Sequence, residues 1–355
     1  MEIYIYILII MVIVNLLKLK PDSKKKISRC IFIILVIVSA IRQNTVGKDT
    51  LQFWNFFRQI EIYNESIFSI RTEIGFNLLC KILTYITSEP QILLIATSIF
   101  INCMVYRFIE KNSKDTLFST LLYFTLNHYF SSMNLMRQWI AIAFILLGYE
   151  YLKDNKYFKY SFFVLIACLF HMSAVLMFIL IPIKKYNKNK NIIMVTITVS
   201  ILAFILTPVL FNIVVNFSDY EKYLESDYIG SSYISAGMYT LTNFLFFIFG
   251  FIIPNKEKLK EKFDLDSIHK MNSWIIAIAT IISVMSIRIT IFNRLFLYFN
   301  FFNIIWIPNS LEILESKINK DRYKIIIIIF TIFYVMTITS MGWTGIYPYL
   351  TFWQK

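Results

Sequence analysis

The chain has 355 residues, of which 57% are apolar, 17% aromatic and only 16% charged, with a formal net charge of +13. A soluble domain carries about a quarter charged residues, and here the apolar excess is gathered into long blocks, which excludes a water-soluble enzyme, a nucleic-acid-binding module and a disordered tail. What remains is a polytopic membrane protein.

A spanning helix needs about 20 mostly apolar residues. Met1 runs straight into the apolar block 3–17, with no basic n-region and no small-residue cleavage site, so this block is read as a retained membrane helix rather than a signal peptide. Further candidates follow at 31–41, 91–106, 116–130, 135–152, 192–215, 239–253, 271–287, 291–308 and 325–341. Two segments are ambiguous. The first, 74–87, is short and carries Lys81; the second, 161–183, is long enough to span but has His171 near its middle and Pro182 at its end.

Basic residues cluster at 18–29, 107–114, 153–159, 184–190, 256–270 and 317–324. If both ambiguous segments span, alternation throws two clusters outside; if neither spans fully, every cluster falls on the cytoplasmic side, as the positive-inside rule prefers. The second topology is adopted. It predicts an all-α membrane protein of about ten transmembrane helices with both termini outside. The whole chain, 1–355, is then one integral membrane domain. It has an outer loop at 42–73 with an interfacial helix at 51–62, a half-helix hairpin at 161–183 turning near His171, and an outer loop at 216–238. Arg42, Asp49, Glu73, Arg137, Tyr228, Arg288 and Arg294 end at or just below the outer face. Half-helices are tolerated at membrane depth only where they line protein or a wet cavity, so His171 is expected on the floor of one.

Cys30, Cys80, Cys103 and Cys168 lie in apolar stretches without a CxxC pair, and His128, His171 and His269 are far apart in sequence, so neither a disulfide framework nor a metal centre is indicated. No P-loop, Gly-rich dinucleotide turn, GxSxG elbow or HExxH motif occurs. The loop at 216–237 mixes Tyr220, Tyr223, Tyr228 and Tyr233 with Asp219, Glu221, Glu225 and Asp227, which suits either sugar contacts or an aromatic belt at the interface.

Four groups of residues can carry chemistry. In the first outer loop Phe53, Phe56, Phe57 and Ile60 recur at helical spacing, opposite Gln52, Asn55, Arg58 and Gln59, so the helix lies flat in the interface. Thr50 or Asp49 serves as its N-cap and Gly47 allows the turn before it. Asp49 is either that cap alone or a carboxylate at the membrane surface. Next, Arg137 opens an otherwise apolar helix, where an arginine costs about 2.5–3.5 kcal/mol on insertion scales; Asn134 and Gln138 are spaced to share its face, forming a polar pocket unless Arg137 snorkels to head groups. His171 and Ser173 stand amid apolar residues. Finally, Arg288 and Arg294 flank a short turn, either as pyrophosphate ligands, since guanidinium groups bind phosphate bidentately, or as interface anchors.

Taken in order, Arg42…Val46-Gly47-Lys48-Asp49-Thr50, Glu73-Ile74-Gly75-Phe76, Asn134…Arg137-Gln138…Ala141, Phe170-His171-Met172-Ser173-Ala174 and Gly345-Ile346-Tyr347-Pro348-Tyr349 resemble the EpsG family of Wzy-like bacterial exopolysaccharide and capsule polymerases. Lys48 departs from the small or polar residue common before the aspartate and alters the charge of the pocket.

The resemblance implies a polymerase with a GT-C-like fold in the bacterial cell membrane, its active site facing outside. It would join oligosaccharide repeat units carried on undecaprenyl pyrophosphate. On this reading Asp49, then His171, is the candidate base, and Arg137 with Arg288 and Arg294, and Arg42 in reserve, stabilises the leaving pyrophosphate. Arg42, Glu73, Asn134, Gln138, Arg288 and Arg294 are the substrate-binding candidates. The implied partners are the lipid-linked oligosaccharide and the bilayer, with flippase and chain-length regulator proteins beside them. No nucleic acid, metal or cofactor is expected. A flippase or transporter for the same lipid-linked sugar, or a membrane O-acyltransferase built around His171, are the competing functions.

Overall fold

The computed structural model describes residues 2–63, 72–186, 191–216, 233–258, 267–314, 316–342 and 344–354. Every named element among them is helical: α1 Glu2–Leu16, α2 Pro21–Ala40, α3 Thr50–Tyr63, α4 Ile74–Thr84, α5 Gln91–Asn112, α6 Thr116–Thr125, α7 His128–Asn134, α8 Met136–Lys153 and α9 Tyr157–Phe170. After a 3-10 segment, Met172–Ile179, come α10 Leu180–Tyr186, α11 Ile192–Asn216, α12 Tyr233–Lys258, α13 Ser267–Arg288, α14 Phe292–Asn300, α15 Asn303–Leu311 and α16 Lys317–Ser340. The loop carrying Tyr220, Tyr223 and Tyr228 lies outside the described residues.

The chain divides into two compact units, Met1–Phe178 with Asp321–Lys355, and Ile179–Lys320. Among the described residues four helices are long and apolar enough to cross a membrane: Gln91–Asn112, Ile192–Asn212, Ser267–Arg288 and Ile318–Ser340. Shorter apolar helices accompany them at Glu2–Leu16, Ile74–Thr84, Thr116–Thr125, Tyr157–Phe170 and Ile234–Gly250.

The first unit has a basic end and an opposite end where the candidate residues collect. Lys24 on α2 and Lys324 on α16 both pair with Asp115, at 2.7 and 3.0 Å, and Asp115 caps α6 by accepting from Phe118 N at 3.1 Å. Arg29 pairs with Glu110 at 3.1 Å, while Asn112 of α5 links to Glu150 and Lys153 of α8 at 2.8 and 2.6 Å. Four of the basic clusters read from the sequence therefore converge at one end. They are not loops, as expected, but largely the ends of helices. Lys24, Lys25, Lys26 and Arg29 lie on α2, which Pro21 starts at its first position, because ion pairs and solvent satisfy charges that a hydropathy window treats as a break.

Two segments expected as single spans are each broken. Residues 116–130 become α6 and α7, separated at Asn127, which takes a left-handed φ of 67°; every residue of the two helices but Ser131 is buried. Residues 291–308 become α14 and α15 in the second unit, around a buried amide ladder in which Asn303 donates to Asn243 and Asn300, both at 2.8 Å, and Asn243 donates to Thr280 at 2.8 Å. The chain also reverses after α9. Tyr160 OH donates to the carbonyl of Met177 at 2.7 Å, so the segment after His171 returns alongside the helix before it.

Candidate functional site

The site is assembled at the end of the first unit opposite the basic pairs, by four elements. α3 packs its Phe53, Phe57 and Ile60 inward, as the sequence stripe requires, and all three are buried. Phe53 and Phe56 meet Phe76 of α4 with ring centres 5.4 and 5.6 Å apart. α4 in turn approaches the end of α9 through Gly75, where an added Cβ would stand 2.8 Å from the carbonyl oxygen of Leu169. This close approach brings Glu73 to His171.

Glu73 occupies the N-cap position of α4, yet its side chain makes no capping bond. One carboxylate oxygen instead faces His171 Nδ1 at 3.1 Å, and the other accepts from Arg137 Nη1. The guanidinium carbon of Arg137 lies 5.8 Å from the centre of the Phe53 ring. Burial would raise the Glu73 carboxyl, but the His171 hydrogen bond and the Arg137 charge outweigh it and hold the group below its ordinary range. The side chains of His171, Glu73 and Arg137 keep 14%, 22% and 29% of their surface, so a ligand can reach them. His171 itself breaks the chain with extended backbone between α9 and the 3-10 segment.

An apolar cavity of about 250 Å³ adjoins this trio, lined by Leu79, Ala96, Phe100, Ile140, Phe144 and Phe170. Arg137, Ile140 and Phe144 follow one stripe of α8, and Phe170 precedes His171. The hydroxyl of Thr97, also on the wall, is spent on Leu93 O at 2.6 Å, which leaves the lining apolar.

The loop before α3 is pinned from two sides. Gly47 has φ 103°, a conformation that side chains resist, and a Cβ there would meet Thr50 Oγ1. Asn134 Oδ1 accepts from Lys48 N at 2.7 Å. On the other side, Gly47 N donates to Gly345 O at 2.8 Å, Gln43 N to Leu350 O at 2.8 Å and Phe352 N to Ile41 O at 2.9 Å. Asp49 stands just before α3, partly exposed, and its carbonyl accepts from Phe53 N at 3.2 Å. It is thus one turn from the ring that packs against Arg137.

Asn134, Arg137 and Gln138 do not share the helix face expected from their spacing. Leu135 leaves helical geometry, with ψ 53°, between α7 and α8. Asn134 therefore serves the Gly47 loop, Arg137 turns to Glu73, and Gln138 is buried. Arg42 is 1% exposed and donates to Ser39 O, Ser98 Oγ and Met133 O. Ser39 and Met133 belong to the last turns of α2 and α7, whose dipoles offset a cation. Burial lowers Arg42 to about 10, which leaves it charged at neutral pH. Its Nη1 and Nη2 are engaged inside the protein, while the buried Nε has no partner among the described residues. Arg288 and Arg294 belong to the second unit, Arg288 at the end of α13 and Arg294 in the first turn of α14. No group of three or more potential metal ligands occurs among the described residues.

The model of the EpsG family matches residues 25–351, nearly the whole chain. The chain belongs to the EpsG family. EpsG membership and the long apolar helices make it a membrane-embedded, exopolysaccharide-related protein. No curated protein and no solved structure matches it. Three members of the EpsG-like motif set, Glu73, Arg137 and His171, meet in space although Glu73 lies 64 residues from Arg137 and 98 from His171. The role of Phe53 beside Arg137 went unread, because at helical spacing it is indistinguishable from the other apolar residues of its stripe.

Proposed function

We propose that this EpsG protein is a polysaccharide polymerase, a GT-C-like glycosyltransferase of exopolysaccharide or capsule synthesis. It joins undecaprenyl-pyrophosphate-linked oligosaccharide repeat units at the outer face of the bacterial cell membrane. The observation that carries this reading is Glu73 holding His171 Nδ1 with one oxygen and Arg137 with the other. An ionised carboxylate only accepts, so in the neutral imidazole the proton sits on Nδ1 and Nε2 presents its lone pair.

In the proposed step the acceptor sugar hydroxyl gives its proton to His171 Nε2 while its oxygen bonds to the anomeric carbon of the donor. The bond from that carbon to the pyrophosphate oxygen breaks, and the electron pair leaves with the phosphate. The rest of the Arg137 guanidinium faces the developing charge. Asp49, on the pinned loop, orients the acceptor. The apolar cavity receives the first isoprene units of the donor lipid, fixing the anomeric carbon beside the base. A flippase has no use for an imidazole poised on a carboxylate, and this favours polymerisation.

The test is to express Glu73→Gln and His171→Ala at normal membrane abundance and to measure the length of the lipid-linked glycan. A general base contributes about 10²–10⁴ in rate, so single repeat units exposed outside the cell are the expected product of both variants. Long polymer in both would discard the site. Single units trapped inside would favour transport instead.

A further inference from the structure

In the second unit α11 contains Pro208 within the helix. Proline has no backbone N–H, so the carbonyl of Phe204, four residues earlier, loses its helical donor. Arg288 at the end of α13 replaces it. Its Nη1 donates to Phe204 O at 3.1 Å and Ile205 O at 3.4 Å, and its guanidinium carbon lies 5.2 Å from the centre of the Phe204 ring. These contacts occupy one nitrogen. Arg288 is exposed, and among the described residues no carboxylate pairs with it.

Beside Arg288 runs a cleft of about 370 Å³, walled by Ile197, Ile201, Phe204 and Ile205 of α11, Phe244 of α12 and Val284 of α13. Val284 is one turn from Arg288, which puts the guanidinium at the cleft's end. From Thr196 to Ile205 the wall is about 14 Å long at 1.5 Å per residue, close to the roughly 15 Å depth of one leaflet's hydrocarbon. Thr196 and Thr280, also on the wall, bond to their own helices at 2.7 and 2.9 Å. Ser200 does not. It is 8% exposed, lines the cleft, and its hydroxyl has no partner among the described residues.

We propose that this cleft binds an anionic phospholipid. One acyl chain fills the apolar slot, the phosphate pairs with the Nε and Nη2 edge of Arg288, and the Ser200 hydroxyl, one turn from Phe204, donates to the ester carbonyl next to the phosphate. The occupant is a bilayer lipid because Ile197, Ile201 and Ile205 are exposed apolar residues on a helix that can cross the membrane. It is anionic because a lone guanidinium on an apolar surface is costly until an anion joins it. The site is independent of the polymerase reading.

The experiment reconstitutes the full chain in phosphatidylcholine vesicles containing a trace of spin-labelled phosphatidylglycerol or spin-labelled phosphatidylcholine. Electron paramagnetic resonance then gives the protein-bound fraction of each label. The wild type is expected to hold the phosphatidylglycerol label at least about fivefold more strongly, the scale of one charge-assisted pair. Arg288→Gln should bring the two labels level, and Arg288→Lys should retain part of the preference. Val284→Trp fills the cleft while keeping the arginine and should abolish the preference too, which separates lipid binding from damage to the Pro208 bend. Equal binding of the labels by the wild type overturns the proposal, as does a preference surviving both Arg288→Gln and Val284→Trp. Displacement of the label by millimolar inorganic phosphate also overturns it, since the acyl chain would then play no part.

Discussion

Gly75→Ala perturbs the site without removing any functional group. The new methyl would lie 2.8 Å from Leu169 O and 3.0 Å from Leu169 C and Cβ, where ordinary contact begins at 3.4 Å. Backbone atoms cannot rotate away, so α4 must retreat from α9 by about 0.6 Å along that contact. The same movement would stretch the 3.1 Å approach of Glu73 to His171 towards the 3.5 Å limit at which the imidazole is no longer held. Overpacking of this kind costs about 1–3 kcal/mol of stability, and displacement of a reacting group by up to an ångström costs about 10² in rate. Gly148→Ala is the matched control. Its methyl would lie 2.9 Å from Phe163 Cβ, between α8 and α9 but away from Glu73. Both variants should melt a few degrees lower in detergent, and only Gly75→Ala should shorten the lipid-linked glycan. Equal chain lengths in the two variants would refute the link between the Gly75 approach and the Glu73–His171 pair.

Arg42→Met should fail to accumulate as folded protein, because it strands the carbonyl of Ser39 at a buried helix end and takes one of two donors from that of Met133; a loss of about 3 kcal/mol or more is expected, read as the melting temperature in detergent. For Asp115, burial would raise the carboxyl, but Lys324 and Lys24 outweigh it and depress the folded value below the ordinary 3.8. A depressed carboxylate stabilises the fold fully above its unfolded value and loses that contribution as pH falls through the folded one. Wild-type melting temperature should therefore drop as pH falls below about 4, and Asp115→Asn should be less stable at neutral pH with a flatter acid limb. An acid limb as steep as wild type in Asp115→Asn would assign the effect to other carboxylates.

The sequence disclosed those features that depend on local spacing. The stripe of Phe53, Phe57 and Ile60 forms the buried face of α3, Arg137 opens α8, and His171 interrupts an apolar run. It could not disclose what depends on pairing at a distance. Glu73 was legible as a substrate-binding candidate but not as the partner of Arg137 and His171, which are 64 and 98 residues away. Arg42 read as a reserve ligand, since nothing local signals that the ends of α2 and α7 would close around it. Helix lengths failed for a different reason: lysines on α2 and α16 stay helical because Asp115 accepts them. Asn127 and Leu135 break their segments through backbone angles that apolar counting cannot register.

The hydrogen bonds from Gly47 to Gly345, Gln43 to Leu350 and Phe352 to Ile41 also set an order of events during biosynthesis. Gln43 and Gln354, joined by a side-chain bond, are 311 positions apart. A ribosome adding about 5–20 residues per second delivers the second half of this clasp roughly 15–60 s after the first. Until then the loop bearing Asp49 has emerged without its counterpart, and insertion must keep it in waiting. The loop bearing Asp49 therefore gains its full set of backbone hydrogen bonds only when the late segment folds back over the early one.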